Sequence, residues 1–356
     1  MVKPALSKRP KFGATRAPLV LTHQTPMNIS VFGAGAWGTA LSMALADRHQ
    51  LLLFGRDAQT IADMSARREN VRYLPGVTLP PSLELSSDLP PAIAHARDGL
   101  LIAATSVAGL RPLLTSFLPY SLPNLIWLCK GFEEGSALLP HQIVRELMGE
   151  ALPCGALSGP SFAQEVARGL PCALTIASAD PALCQLAVSA IHGHTIRVYS
   201  SDDLVGVEVG GAIKNVLAIA TGIADGLGLG MNARAALITR GLAEITRLGI
   251  ALGGRSETFM GLTGVGDLIL TCTGDLSRNR QVGLGLAAGK SLDTIVNELG
   301  HVAEGVRCVR AAQQLARQHQ IVTPIVDAVA RVLFESETPI NALQQLLARE
   351  ARIESA

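Results

Sequence analysis

The chain has 356 residues, 48% hydrophobic and 17% charged, with a formal net charge of +1. That length passes the ~250–300 residues at which one hydrophobic core stops growing, and so predicts two domains. The near-neutral balance gives no global field for nucleic acid or acidic surfaces, and an aromatic share of 4% leaves little for base stacking.

Six cysteines (Cys129, Cys154, Cys172, Cys184, Cys272, Cys308) are scattered without a CxxC pair. They read as reduced thiols of a cytoplasmic protein. No uninterrupted apolar run reaches the ~18 residues that a membrane span needs. The richest segment, 206–231, is broken by Glu208, Lys214 and Asp225. Residues 1–26 carry Lys3, Lys8, Arg9, Lys11 and Arg16 and no acid. They read as a disordered basic tail, or as an upstream start with Met27 the true beginning. The apolar run at 17–21 is too short and too late for a signal peptide.

The first element is the stretch Asn28-Ile29-Ser30-Val31-Phe32 running into Gly33-Ala34-Gly35-Ala36-Trp37-Gly38 and an alanine-rich helical pattern. That is strand, tight turn, helix. Gly33 permits the turn, Gly35 admits a pyrophosphate to the backbone, and Gly38 lets helix pack on strand. The helix N-terminus at Ala36 offers free N–H groups to the anion. A dinucleotide is the expected ligand. Leu51 to Phe54 reads as a second buried strand, followed by Gly55-Arg56-Asp57. An arginine at that point suits the 2′-phosphate of NADP, whereas an acid suits the ribose hydroxyl of NAD. Arg56 comes first, so the reading leans to NADP and allows NAD.

Further apolar strands are expected at 100–105, 125–130, 154–157, 172–177 and 196–199, with helical patterns between them. The alternation predicts an α/β fold with a Rossmann-type doubly wound sheet. Ligands bind at the carboxyl ends of such strands, where Arg56, Ser106, Lys130 and Gly159 to Ser161 fall. Ser161 with Gln164 also reads as a helix capping box.

Past residue 203 the strands stop. Two long helices are expected at 203–224 and 233–251, and helical patterns return at 291–299, 304–319, 323–335 and 339–352. An all-helical C-terminal domain follows from this, with 27–202 as the dinucleotide-binding domain and 203–356 as the substrate-binding domain. Lys214 sits inside the apolar 210–223 pattern. A lysine buried there unpaired costs several kcal/mol, so it snorkels, pairs or does chemistry. Burial would bring its pKa toward neutrality and make it a usable acid or base. Gly285 to Ser291 imitates a P-loop but has one residue too few and no strand before it. His192-Gly193-His194 lacks further ligands and reads as a polar loop rather than a metal site.

The motifs Gly33-x-Gly35-x-Trp37-Gly38, Lys130-Gly131, Ser158-Gly159-Pro160-Ser161-Phe162-Ala163 and Gly210-Gly211-Ala212-x-Lys214-Asn215 stand in one order. Asn232-x-Arg234, Gly264-x-Gly266-Asp267-Leu268, Ser277-Arg278-Asn279 and Glu304-Gly305 continue it. Over residues 27–350 the chain resembles the bacterial NAD(P)-dependent glycerol-3-phosphate dehydrogenases. The resemblance implies that Trp37, Arg56, Ala163, Val302 and Glu304 contact cofactor. It implies that Lys130 and Arg278 serve cofactor and substrate together. Gly159, Ser161, Asp267, Ser277 and Asn279 would line the substrate site, with Lys214 as proton acceptor. It further implies reversible reduction of dihydroxyacetone phosphate to sn-glycerol 3-phosphate for glycerophospholipid synthesis, and allows a homodimer.

The residues fit that chemistry. A base must take the hydroxyl proton when hydride leaves C2, and Lys214 is suited to it. Lys130 adds positive charge where an oxyanion develops, and Arg278 offers a planar fork for phosphate. Asp267 would orient a lysine or a substrate hydroxyl, or cap a helix. Two other readings use the same residues: a related hydroxy-acid dehydrogenase, separable by a substrate panel, and a non-catalytic NADP sensor, separable by absence of hydride transfer.

Overall fold

A computed structural model of the chain describes residues 25–299 and 303–348. The expectations for residues 1–24, for Val302 and for the end of the last helix lie outside the described residues. Among the described residues ten strands form, β1 (Asn28–Phe32), β2 (Gln50–Phe54), β3 (Glu69–Asn70), β4 (Leu74–Thr78), β5 (Glu84–Ser86), β6 (Leu100–Ala103), β7 (Leu125–Trp127), β8 (Cys154–Ser158), β9 (Cys172–Ala177) and β10 (Ile196–Ser201). Eight of them make one sheet in the order β10-β9-β8-β7-β6-β1-β2-β5, while β3 and β4 pair as a separate hairpin. Helices cover both faces, which explains why strands such as Leu100–Ala103 are apolar and buried at every position.

The sheet departs from a fully parallel arrangement at one place. β8 and β9 are antiparallel, with Leu157 opposite Ile176. The connection between them holds only the five-residue helix Ala163–Ala167. Such a helix spans about 7.5 Å, against about 17 Å for a five-residue strand, so it does not carry the chain back along the sheet. The ligand-side edge is therefore made by the ends of β1, β2, β6, β7 and β8.

After β10 the chain is helical. Its axis is the helix Leu204–Gly226, of whose 23 residues 20 are buried. By length and composition it could cross a membrane, but it is the core of the helical half. Asp203 caps its start by accepting from the Gly206 N–H. Each of the three charges in this segment is held. Glu208 pairs with His141, Lys214 with Asp267, and Asp225 with both Arg234 and Arg280.

The helix Gly230–Ala251 returns antiparallel, and short helices at Ser256–Phe259, Asp267–Thr273 and Arg278–Ala287 pack around the axis. Close packing needs glycine: a Cβ on Gly222 would lie 2.1 Å from the Arg280 carbonyl oxygen. The P-loop imitation at 285–291 begins in the last turn of the Arg278–Ala287 helix and continues as the connection to the helix Leu292–Leu299, and a Cβ on Gly285 would lie 2.7 Å from Ile295 Cγ1.

Candidate active site

Lys130 and Lys214 come from the two halves and meet on one carboxylate. Strand pairing in β7 ends at Trp127, and Leu128 still donates to the Ala103 carbonyl. Lys130 thus stands three residues beyond the strand rather than on its last residue. Its Nζ donates to Asp267 Oδ2 at 2.7 Å and to the Gly159 carbonyl at 2.9 Å. Gly159 supplies that carbonyl from a turn at φ +139°, where a Cβ would lie 2.8 Å from the Ala173 carbonyl oxygen. Lys214 Nζ donates to Asp267 Oδ1 at 2.5 Å and to Thr271 Oγ1 at 2.9 Å. Thr271 Oγ1 in turn donates to the Asp267 carbonyl at 2.6 Å.

Asp267 begins the helix Asp267–Thr273 after a π-helical turn at Leu262–Gly266, and its side chain caps nothing. Its side chain is 2% exposed. Burial works to raise its pKa, yet Lys130 and Lys214 outweigh burial and hold the carboxyl below its usual range. Burial also dominates at Lys214 and lowers its pKa to about 8. Asp267 opposes that shift, and Lys130 adds to it. Lys214 is therefore poised near neutrality beside a carboxylate that stays ionised.

Other expected residues gather around this pair. Asn279 Nδ2 donates to Asn215 Oδ1 at 3.0 Å, and Asn279 Oδ1 accepts from the Gly305 N–H at 2.9 Å. One amide thus joins the axial helix to the start of Glu304–Gln318. Burial raises the pKa of Glu304 against the fields of Arg278, Lys130 and Lys214. Arg278 itself is exposed. Ser277 is the N-cap of its helix and accepts from the Arg280 N–H at 3.3 Å.

Ser161 does not make the capping box: Phe162 is the N-cap of Ala163–Ala167. Instead Ser161 Oγ accepts from Trp37 Nε1 and donates to the Gly159 carbonyl, each at 3.2 Å. That link ties the glycine loop to the end of β8.

The glycine loop fits a dinucleotide. A Cβ on Gly35 would meet nothing within 4 Å, so open space lies before the backbone there. Gly33 sits at φ +131°, and a Cβ on Gly38 would lie 2.1 Å from the Gly33 carbonyl oxygen. The helix Ala36–Leu45 starts immediately, without a side chain on its first N–H groups. Thr105 Oγ1 and Ser158 Oγ are buried without a hydrogen-bond partner near this edge. Beyond the end of β2, Asp57 caps the helix Ala58–Arg67 through Gln59 N and Thr60 N. Its carboxylate is occupied, and Arg56 beside it is exposed.

Residues 28–184 match the N-terminal model, and residues 203–344 the C-terminal model, of the NAD-dependent glycerol-3-phosphate dehydrogenases. The chain belongs to the NAD-dependent glycerol-3-phosphate dehydrogenase family. A relative from Janthinobacterium sp. (strain Marseille), named glycerol-3-phosphate dehydrogenase (NAD(P)+), is 68% identical over 331 residues, covering 93% of this chain and 100% of its own. The crystal structure of glycerol-3-phosphate dehydrogenase from Coxiella burnetii superposes with a TM-score of 0.86 at 39% identity, covering 92% of this chain and 100% of that one. The Saccharomyces cerevisiae enzyme gives a TM-score of 0.76 at 27% identity, over 90% of this chain and 99% of that one.

Within this member of the glycerol-3-phosphate dehydrogenase family, sequence reasoning gave no role to Thr271 or Thr105, and quoted Ser158 only as the first residue of a motif. Thr271 was findable as Asp267 plus four on a helix, but that helix was not expected. Thr105 carries no local signal, and what singles out the Thr105 and Ser158 hydroxyls is burial without a partner.

Proposed function

We propose that the chain catalyses reversible hydride transfer between NAD(P)H and dihydroxyacetone phosphate, giving sn-glycerol 3-phosphate for glycerophospholipid synthesis. The observation that carries this reading is the meeting of Lys130 and Lys214 on the Asp267 carboxylate. Residues 27–202 are the cofactor-binding unit and 203–356 the substrate-binding unit. The end of the sheet at Ser201 and the start of the axial helix at Leu204 support that division.

A bound nicotinamide supplies the hydride chemistry at C2. Gly33, Gly35, Ala36, Trp37, Gly38, Arg56, Ala163, Val302 and Glu304 are the residues proposed to hold the cofactor, with Lys130 and Arg278 shared with substrate. Lys214 carries the proton. In reduction its ammonium polarises the C2 carbonyl and then protonates the C2 oxygen. In oxidation the neutral amine takes the hydroxyl proton. Asp267 and Thr271 aim the Lys214 Nζ, and Lys130 stabilises negative charge on the C2 oxygen. Gly159, Ser161, Ser277 and Asn279 line the substrate, and the Arg278 guanidinium binds its phosphate.

The finer choice of NADP over NAD rests on Arg56 and on the engaged carboxylate of Asp57. Six free thiols fit a cytoplasmic setting. Exposed Met231, Ile250, Met260 and Ile269 on the helical half fit a homodimer.

A spectrophotometric assay with dihydroxyacetone phosphate and each reduced cofactor tests the activity. Turnover with that substrate, and not with 2-oxo acids, is expected. Turnover of 2-oxo acids alone would replace phosphate with carboxylate as the recognised group.

A further inference from the structure

Asp225 and the Asn232-x-Arg234 motif have no part in the reaction as described, yet they build a charge cluster at the C-terminal end of the axial helix. Asp225 lies in the last turn of Leu204–Gly226, its side chain 7% exposed. Its Oδ1 accepts from Arg234 Nε at 2.7 Å, and its Oδ2 from Arg280 Nε at 2.8 Å. Arg234 stands near the start of Gly230–Ala251, and Arg280 in the first turn of Arg278–Ala287. One carboxylate thus joins three helices. Asp225 is an acid at a helix C-terminus and Arg280 a base at a helix N-terminus, so each opposes its own helix dipole. Local preference explains neither charge, whereas the contact between them explains both. Arg280 Nη1 also reaches Asp275 at 3.0 Å, but that carboxylate is 96% exposed and holds little.

The helix Arg278–Ala287 lies directly on the axis. A Cβ on Gly283 would lie 2.2 Å from the Ile219 carbonyl oxygen, and one on Gly226 2.5 Å from the Ala287 Cβ. These contacts set how near the two helices come. Two polar grips set where one sits along the other. Asn279 bonds Asn215, which adjoins Lys214, and Arg280 bonds Asp225. Asn215 and Asp225 are ten residues apart, about 15 Å along a helix. Consecutive residues therefore hold the axial helix at two points, one beside the proton-carrying lysine and one at its end. Arg278, the residue before them, is exposed and carries the proposed phosphate contact.

We propose that the Asp225–Arg280 ion pair, braced by Arg234, is a positioning anchor that fixes the distance between Arg278 and Lys214, and so makes the enzyme demand a phosphate at the right reach from C2. This rests on the reading of Arg278 as the phosphate ligand. It extends that reading to residues that touch neither substrate nor cofactor. A phosphate contact holds C2 in place only if its own position is fixed relative to the proton carrier, and a misplacement of about 1 Å costs up to about 10²-fold in rate.

The ratio of kcat/KM for dihydroxyacetone phosphate to that for dihydroxyacetone, measured on the full chain with saturating reduced cofactor, tests it. The two substrates differ only in the phosphate, so a smaller share of folded enzyme lowers both values and leaves the ratio unchanged. Asp225→Asn and Arg280→Gln should each lower the ratio about tenfold or more, chiefly through a higher KM for the phosphorylated substrate. Arg280→Lys keeps a charge on the buried carboxylate and should fold even where those two do not. It should lower the ratio as well, but by less than Arg280→Gln. An unaltered ratio in the folded variants, with Arg278→Ala lowering it, would overturn the anchor. An unaltered ratio in Arg278→Ala would instead overturn the phosphate reading, and the anchor with it.

Discussion

Lys214 has the properties of an acid–base group because burial and a neighbouring lysine work against its charge while Asp267 works for it. With its pKa at about 8 in the free protein, the ammonium needed for reduction is lost as pH rises through that value. The kcat/KM for dihydroxyacetone phosphate should therefore fall above pH 8, and that for glycerol 3-phosphate oxidation should rise. Asp267→Asn removes the charge that holds the pKa up, so the falling limb should move to lower pH by about a unit or more. A limb that stays in place would assign it to another group. Arg278 should act through binding energy, since the phosphate is remote from C2. Arg278→Ala should raise KM for the phosphorylated substrate at least about tenfold, as expected for losing a hydrogen bond from a charged group, and weaken discrimination against glycerol. The sequence made the individual groups legible: Lys130, Lys214, Asp267 and Asn279 were all named. It did not make their connection legible, because one carboxylate bridging two lysines 84 residues apart in sequence is a product of packing.

Elements were legible where the hydrophobic period was long and unbroken. The buried strands announced themselves as apolar runs, and the two long helices appear at Leu204–Gly226 and Gly230–Ala251. The helices Asp267–Thr273 and Arg278–Ala287 did not announce themselves. They are short, follow glycine-rich turns, and take their helicity from packing on the axis rather than from propensity. The edge strand β5 and the β3–β4 hairpin escaped for the same reason, with two to five residues each. The antiparallel step at β9 depends on the length of the connection, which an alternation count ignores. Glycines on the axial helix have a consequence here. Gly222→Ala would push the Arg278–Ala287 helix away from the axis, because backbone rather than a flexible side chain stands in the way. We expect a loss of about 1–3 kcal/mol in stability. Activity should fall too, since Arg278 and Asn279 ride on that helix. Full activity at wild-type melting temperature would show that the helix is free to shift.

The molecule works as two halves only if their relative position is fixed. His141, on the helix Pro140–Met148 of the sheet half, is bound to Glu208 on the axial helix through its ring and its backbone N–H. Burial raises the Glu208 pKa, and the His141 contacts oppose that shift. His141→Ala would leave the carboxylate buried without its partner, at a cost of about 3–5 kcal/mol. A lowered melting temperature is expected, and His141→Ala with Glu208→Leu should recover much of the loss. No recovery in the double variant would mean that His141 matters through its packing. The central claim is that the sheet half supplies charge through Lys130 and the helical half supplies the proton through Lys214. Its most direct test is the steady-state turnover of Lys214→Arg, a residue that keeps the charge but does not release a proton in the working range. The account predicts a fall in kcat of roughly 10²–10⁴-fold, close to that of Lys214→Ala, with cofactor still bound. Turnover near the wild-type level in Lys214→Arg would contradict it and move the proton to another group.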